Sequence, residues 1–243
     1  MDLKGKGALV TGGGTGVGRS VAIALAREGC KVAICGRRED KLRETAGLWK
    51  GEPPILTRTA DVGDRPGVEE LFRWADAELG PIHLLVNSAG MNIRRRTMAD
   101  IDPADWDRVL RVNATGAFNC MHAVLPQMRE RRDGVNINIS SIAGRRAGPL
   151  GGVAYNASKF AMSALGISVG AEDGRNGIRV SNVYPGEINT PILDDRPVKV
   201  SDEHKARILQ PEDVATAVLM IAKLPARVCV PELVIKPTTQ DYA

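Results

Sequence analysis

Apolar and polar residues change their spacing repeatedly along this chain, and each change marks a new element. Residues 7–11, Gly-Ala-Leu-Val-Thr, form a short apolar run that stops at glycines and predicts a buried strand. A helical stretch over residues 20–26 follows and ends near Gly29. The exchange recurs to the end of the sequence. Strands are predicted at 31–35, 54–59, 81–86, 135–139, 178–183 and 230–235. Helices are predicted at 39–49, 65–79 and 103–130, around Tyr155 to about 172, and from Pro211, since proline suits a first helical position. Residues 187–210 read as a loop, with two prolines and the pair Asp194-Asp195. No linker-like stretch or internal repeat interrupts the alternation. It predicts one α/β domain over residues 1–243, a doubly wound, mostly parallel sheet of about seven strands with helices on both faces.

In an open parallel sheet, ligands bind outside the carboxyl ends of the strands. The residues just after each predicted strand are therefore the candidates for chemistry. The first strand runs into Thr11-Gly12-Gly13-Gly14-Thr15-Gly16-Val17-Gly18 and then a helix. Glycines let backbone approach a phosphate, and the helix N-terminus offers free N–H groups and a partial positive charge. The spacing is G-x-x-x-G-x-G at Gly12, Gly16 and Gly18; a tight strand-to-helix connection is the plainer alternative. The second strand ends in Gly36-Arg37-Arg38. An acid at that place binds the ribose 2′-hydroxyl of NAD, whereas an arginine accommodates the 2′-phosphate of NADP. Two cations and no acid favour NADP(H), unless both arginines simply sit in solvent. Glu39 and Asp40 suit the first turn of the next helix. The fourth strand ends in Asn87-Ser88-Ala89-Gly90, small residues beside which a flat ring can lie close to the backbone.

The Tyr155 segment supplies candidate chemistry. Tyr155 and Lys159 are four apart, which on a helix puts both side chains on one face. A phenol with a pKa of about 10 is a poor acid or base at neutral pH, and a fixed ammonium nearby pulls that value down. Ser141, delivered by the strand at 135–139, can steady the oxygen that gains or loses the proton. A buried ring and a solvated charge at the same spacing are the structural alternative. Asn113 falls inside the predicted helix 103–130, where asparagine is usually a surface residue or bonded locally.

Composition narrows the classes. Hydrophobic residues make up 43%, which fits a globular chain, and a net charge of +4 is too mild to mark a nucleic-acid protein by itself. Cys30, Cys35, Cys120 and Cys229 are scattered, without zinc-ligand spacing or a disulfide framework, so no metal site is expected. Reduced thiols fit a cytoplasmic location. The first seven residues lack a signal-peptide stretch, and no run of 18 apolar residues offers a membrane span.

Taken together, Thr11-Gly12-x-x-x-Gly16-x-Gly18, Asn87-x-Ala89-Gly90, Asn113, Ser141, Tyr155-x-x-x-Lys159 and Pro185-Gly186-x-x-x-Thr190 fall in the order and spacing of the short-chain dehydrogenase/reductase family, which the chain resembles over nearly its whole length. The resemblance implies a Rossmann-like oxidoreductase that interconverts a secondary alcohol and its carbonyl. It implies that Tyr155 is the general acid/base, that Lys159 lowers its pKa and holds the nicotinamide ribose, and that Ser141 bonds the substrate carbonyl oxygen. Asn113 would kink its helix and hold a water in a proton relay to Lys159. Gly12, Thr15, Gly16, Val17 and Gly18 would take the pyrophosphate. Arg37, with Arg38 beside it, matches the usual 2′-phosphate position. Asp61 and Val62 would meet the adenine, and Asn87, Ala89 and Gly90 would lie along the cofactor. Beyond Pro185 and Gly186, Ile188 and Thr190 match contacts to the nicotinamide amide and the phosphates. The family also implies a homo-oligomer, a dimer or tetramer. Three departures stand out. Ser141 lies one residue farther from Tyr155 than in many members, which keeps Ser140 as runner-up. Thr15 replaces a residue that is basic in many NADP-preferring members. The C-terminal stretch from Pro231 lacks the usual glycine-rich ending.

Two other classes compete. A cofactor-sensing protein on the same fold would have no reason to keep Asn113, Ser141, Tyr155 and Lys159 together. Nucleic-acid binding would need Arg94, Arg95 and Arg96, Arg131-Arg132 and Arg145-Arg146 to share one face. The triple arginine reads first as a solvated basic turn. It and Arg145-Arg146 also lie on loops expected to enclose a small-molecule substrate, which suggests an anionic one such as a hydroxy or keto acid.

Overall fold

The computed structural model describes residues 2–241. Its strands are β1 Gly7–Thr11, β2 Lys31–Gly36, β3 Leu56–Thr59, β4 Ile82–Asn87, β5 Gly134–Ile139, β6 Ile178–Pro185 and β7 Glu232–Ile235. Its helices are α1 Gly16–Arg27, α2 Glu39–Leu48, α3 Arg65–Leu79, α4 Pro103–Leu110, α5 Gly116–Arg131, α6 Val153–Asp173, α7 Asp202–Arg207 and α8 Pro211–Lys223. The seven strands form one parallel sheet in the order β3-β2-β1-β4-β5-β6-β7. This is the predicted Rossmann-like doubly wound sheet, and its order reverses between β1 and β4.

Alternation along the strands builds a core on each face. Ala8 and Val10 of β1 join Val86, Ile137 and Val183 under α1 and α8, where Leu25 and Val218 pack. Leu9, one residue out of phase, joins Leu85 and Val180 under α3 and α5, where Phe72 and Val124 pack. The second face is not wholly apolar. Asn87, Asn138 and Asn182 stand in register on β4, β5 and β6, all buried. Asn87 Nδ2 donates to Asn138 Oδ1 at 2.9 Å, Asn138 Nδ2 to Asn182 Oδ1 at 3.0 Å, and Asn182 Nδ2 to the Ser163 carbonyl of α6 at 3.1 Å. Each amide satisfies the next, so the polar row can be buried between apolar strands.

Two predicted elements differ. The helix expected over 103–130 is broken into α4 and α5 by a π-helical turn, Arg111–Thr115, with Asn113 at its centre. Residues 187–210 are not an open loop. They contain the 3-10 turn Pro191–Asp195, the short α7 and a bridge between Ile188 and Leu209.

The arginine pairs lie on opposite edges of the sheet. Arg94, Arg95 and Arg96 follow the C-terminal end of β4, and Arg145-Arg146 that of β5. Arg131 donates to the Ile82 carbonyl at the start of β4, and Arg132 donates to the Arg175 carbonyl just before β6. The basic residues therefore do not form one nucleic-acid face. No helix among the described residues is long and apolar enough to cross a membrane.

The glycine loop is fixed by close approach. Gly12 has φ +65, and a Cβ there would lie 2.8 Å from the Ala89 Cα. A Cβ on Gly18 would overlap the Gly12 carbonyl oxygen. Gly18→Ala is expected to destabilise the fold by about 1–3 kcal/mol. A urea unfolding midpoint unchanged from wild type would show that the loop can open to admit the methyl.

Candidate active site

The turns after β1, β2 and β4 meet where the strand order reverses. Thr11 Oγ1 accepts from the backbone N–H groups of Ser88 and Ala89 at 3.1 and 3.0 Å, lacing the end of β1 to the turn after β4. The Gly14 carbonyl accepts from Arg19 Nη2 at 2.8 Å and from Thr45 Oγ1 at 3.1 Å. These bonds hold the glycine loop from behind. No side chain caps the start of α1, whose first N–H groups are left for an outside acceptor.

In front of that helix end lies a cavity of about 480 Å³. Arg37, Arg38 and Lys41 line one end, Asp61 and Val62 the middle, and Gly90, Tyr155 and Lys159 the other. Neither Arg37 nor Arg38 forms an ion pair among the described residues; Arg38 Nη2 reaches only Thr15 Oγ1, at 3.4 Å. Glu39 is turned to Arg43 along α2, as expected for a first-turn acid. Lys41 was not singled out in the sequence. Its only signal is its place four residues after Arg37, on the turn that faces the loop. Thr190 sits on the glycine loop, its Cγ2 3.1 Å from where a Gly16 Cβ would be.

A second cavity of about 280 Å³ opens beside the first. Tyr155 lines both. Ser141, Pro185 and Gly186 belong to the second, with Ile188 and Thr190 at the boundary. The Ser141 hydroxyl lies beside the phenol and accepts the Ala143 N–H at 3.1 Å. Ser140 is committed elsewhere. Its Oγ is bonded to the Lys159 carbonyl at 3.2 Å and to Ser163 Oγ at 3.1 Å. Geometry thus favours Ser141 despite the longer spacing.

Lys159 is 4% exposed. Its Nζ donates to the Ile139 carbonyl at the end of β5 at 2.8 Å and lies 5.6 Å from the centroid of the Tyr155 ring. Burial lowers its pKa to about 8. Desolvation raises the Tyr155 pKa, against the Ser141 hydrogen bond and the Arg96 charge, which lower it.

Asn113 and Asn87 stand behind the cavities. Asn113 is fully buried; its Oδ1 accepts the Met91 N–H at 2.8 Å, and its Nδ2 donates to the Met91 carbonyl and to Ser158 Oγ, both at 2.9 Å. It is a pin between the turn after β4 and helix α6, not a surface residue. Asn87 ends the asparagine row, and its Oδ1 is buried without a partner among the described residues.

Arg96 overturns the reading of its loop as a solvated turn. It is 5% exposed and lines the second cavity, whereas Arg94 and Arg95 are exposed. Nothing in the triplet marks which arginine turns inward. Arg145, by contrast, pairs with Glu232 and lies over the Tyr184 ring.

An uncapped helix end, a bare glycine loop and, at the far end, two arginines without an ion pair among the described residues fit a dinucleotide with a phosphorylated ribose. A Tyr–Lys pair where such a cavity meets a second, smaller one is the layout of a dinucleotide-dependent oxidoreductase. The chain belongs to the short-chain dehydrogenase family, whose model matches residues 6–200. It is 39% identical over 241 residues to a glycine betaine reductase of Emericella nidulans, covering 97% of this chain but only 19% of that protein's length. It is 32% identical to an uncharacterized oxidoreductase of Staphylococcus saprophyticus, over 98% of this chain and 99% of the relative. Among solved structures it superposes on a serine dehydrogenase in its closed form with NADP+, with a TM-score of 0.87 and 30% identity, over 97% of this chain and 96% of that one.

The buried Lys159 gives a pH dependence. Its folded pKa of about 8 lies below the usual 10.5, so below pH 8 the protein bears the full cost of a buried charge. Between those values the unfolded chain binds the proton and the folded protein does not, so stability rises with pH. Lys159→Met is expected to be more stable than wild type at pH 7, with the gap narrowing by up to roughly 3 kcal/mol by pH 10. Chemical unfolding at both pH values checks this, and a constant gap would mean that the ammonium is not desolvated.

Proposed function

We propose that this protein is an NADP(H)-dependent oxidoreductase that interconverts a secondary alcohol and its carbonyl, with Tyr155 as general acid/base. The observation that carries the reading is the position of the Tyr155 phenol on the wall shared by both cavities, with Ser141 beside it and Lys159 on the same helix face. NADP(H), when bound, supplies the acceptor or donor of hydride. Ser141 holds the substrate oxygen by hydrogen bond, and Tyr155 takes its proton in oxidation or returns it in reduction. Lys159 holds the ribose hydroxyls and orients the phenol. Asn113 keeps the turn after β4 against α6, and its π turn offers an irregular backbone for a relay water.

Gly12, Thr15, Gly16, Val17 and Gly18 hold the pyrophosphate on the start of α1. Arg37 and Arg38, joined by Lys41, receive the 2′-phosphate; the NADP+ held by the related serine dehydrogenase supports this choice. Asp61 and Val62 flank the adenine. Ala89 and Gly90, backed by Asn87, give a flat floor, and Pro185, Gly186, Ile188 and Thr190 close the nicotinamide end. A single domain, a cytoplasmic location and a homo-oligomer belong to the same reading. Phe118 on α5 and Phe160 and Ile167 on α6 are exposed apolar residues on helices that contact each other, which supports the last point. The named substrate of the glycine betaine reductase is not carried over. Among the described residues Tyr155 is the one aromatic ring lining the second cavity, too few for a cage around a quaternary ammonium.

Tyr155→Phe is expected to lower turnover by a factor on the order of 100 to 10,000 while leaving NADPH binding within about threefold of wild type. Retained turnover in that variant would remove Tyr155 from the chemistry. Arg37→Ala with Arg38→Ala is expected to weaken NADPH by on the order of 100-fold and NADH by less than threefold, measured by fluorescence titration. Equal losses for both nucleotides would place the 2′-phosphate elsewhere.

A further inference from the structure

Arg96 is a buried cation with no ion-pair partner among the described residues; the Asp195 carboxylate acts on it only from beyond ion-pair distance. Its Nη1 donates to the Leu150 carbonyl at 2.9 Å and its Nη2 to the Asp195 carbonyl. Its Nε has no hydrogen-bond partner among the described residues. No carboxylate lies within ion-pair distance of it among the described residues; Asp195 offers its backbone while the residue itself is exposed. Two other arginines line the cavity: Arg196 pairs at 3.3 Å with Glu187, which also meets His204, and Arg146 stands on the turn after β5.

Tying two loops by their carbonyls does not call for a guanidinium. A neutral glutamine amide makes such bonds without the several kcal/mol that burying a charge costs. The charge is compensated when an anion enters the cavity that Arg96 lines. Its reach from Tyr155 is short. Arg96 packs on Gly152, the residue before α6, and its carbonyl accepts the Val153 N–H at 3.0 Å, two residues before Tyr155. Its charge is felt at the Tyr155 phenol. An anionic group on Arg96 would thus sit only a few bonds from a hydroxyl or carbonyl held by Tyr155 and Ser141. A cavity of about 280 Å³ limits the molecule to a small one.

We propose that Arg96 receives the carboxylate of the substrate, and that the substrates are short hydroxy acids and the corresponding oxo acids. This rests on the oxidoreductase reading above for its chemistry, but the anion site can be tested without it. Calorimetric titration of two- to six-carbon hydroxy acids and their primary amides into the full chain gives the binding preference. At least one acid is expected to bind on the order of 100-fold more tightly than its amide. In Arg96→Gln this advantage falls to threefold or less, by loss of acid affinity with amide affinity unchanged, and Arg96→Lys restores part of it. Thermal unfolding and NADPH titration of both variants report fold and cofactor site separately. Equal binding of acids and amides by wild type, no binding of any acid, or an undiminished preference in Arg96→Gln overturns the proposal. Parallel loss of acid and amide in a folded Arg96→Gln would make Arg96 a loop staple only. NADPH binding without acid preference sinks this inference alone, whereas acid preference without NADPH binding sinks the oxidoreductase reading and leaves the anion site standing.

Discussion

The bond from Lys159 Nζ to the Ile139 carbonyl fixes the site. A buried ammonium must find an acceptor, and the last carbonyl of β5 is the one offered at that depth. Meeting it ties α6 to the end of β5. Tyr155, one turn earlier, is carried on the same face and so opens on the cavities. A second bond guards against slippage, since Asn113 holds Ser158, the residue before Lys159, to the turn after β4. Helix, strand end and turn are then one rigid unit, as a group that must meet a reacting atom within a fraction of an ångström requires.

Polar side chains in the interior do the work of alignment. The asparagine row across β4, β5 and β6 ends on the Ser163 carbonyl, one turn beyond Lys159 on α6. Asn138 and Asn182 each accept one bond and donate another, and Asn87 donates to the row, so a shift of one strand would leave buried amides unsatisfied. The row thus penalises changes of register just where strand ends carry the site. The π turn around Asn113 has a related use. An extra residue in the turn swings a polar side chain from the helix surface into the gap between the turn after β4 and α6.

Charge on this mildly basic chain falls into three kinds of place. Some arginines are surface fasteners, such as Arg129, which forks onto the buried Asp173 with two 2.7 Å bonds at the end of α6. Others, Arg37 and Arg38, stand open at the far end of the larger cavity. Arg96 alone among the triplet after β4 is buried, between the loop before α6 and the 3-10 turn Pro191–Asp195. The same residue type serves packing, cofactor charge and substrate charge, and which one it serves depends on what surrounds it.

Strand-helix alternation and its seven strands were legible in the chain, because a residue's inward or outward place on a strand or helix repeats with a short period. The Tyr155–Lys159 pair, the glycine loop and the arginines after β2 were also legible, since each is local and its spacing is set by one turn or one helix. Only the tertiary structure showed Ser140 bonded away from the site, brought Arg96 inward rather than Arg94 or Arg95, added Lys41 to the cavity and gave the break at Asn113 its π-helical form. All of these depend on contacts between segments far apart in sequence, and on how far each charge is removed from water. Neither quantity repeats along a chain, so no periodicity or motif carries it.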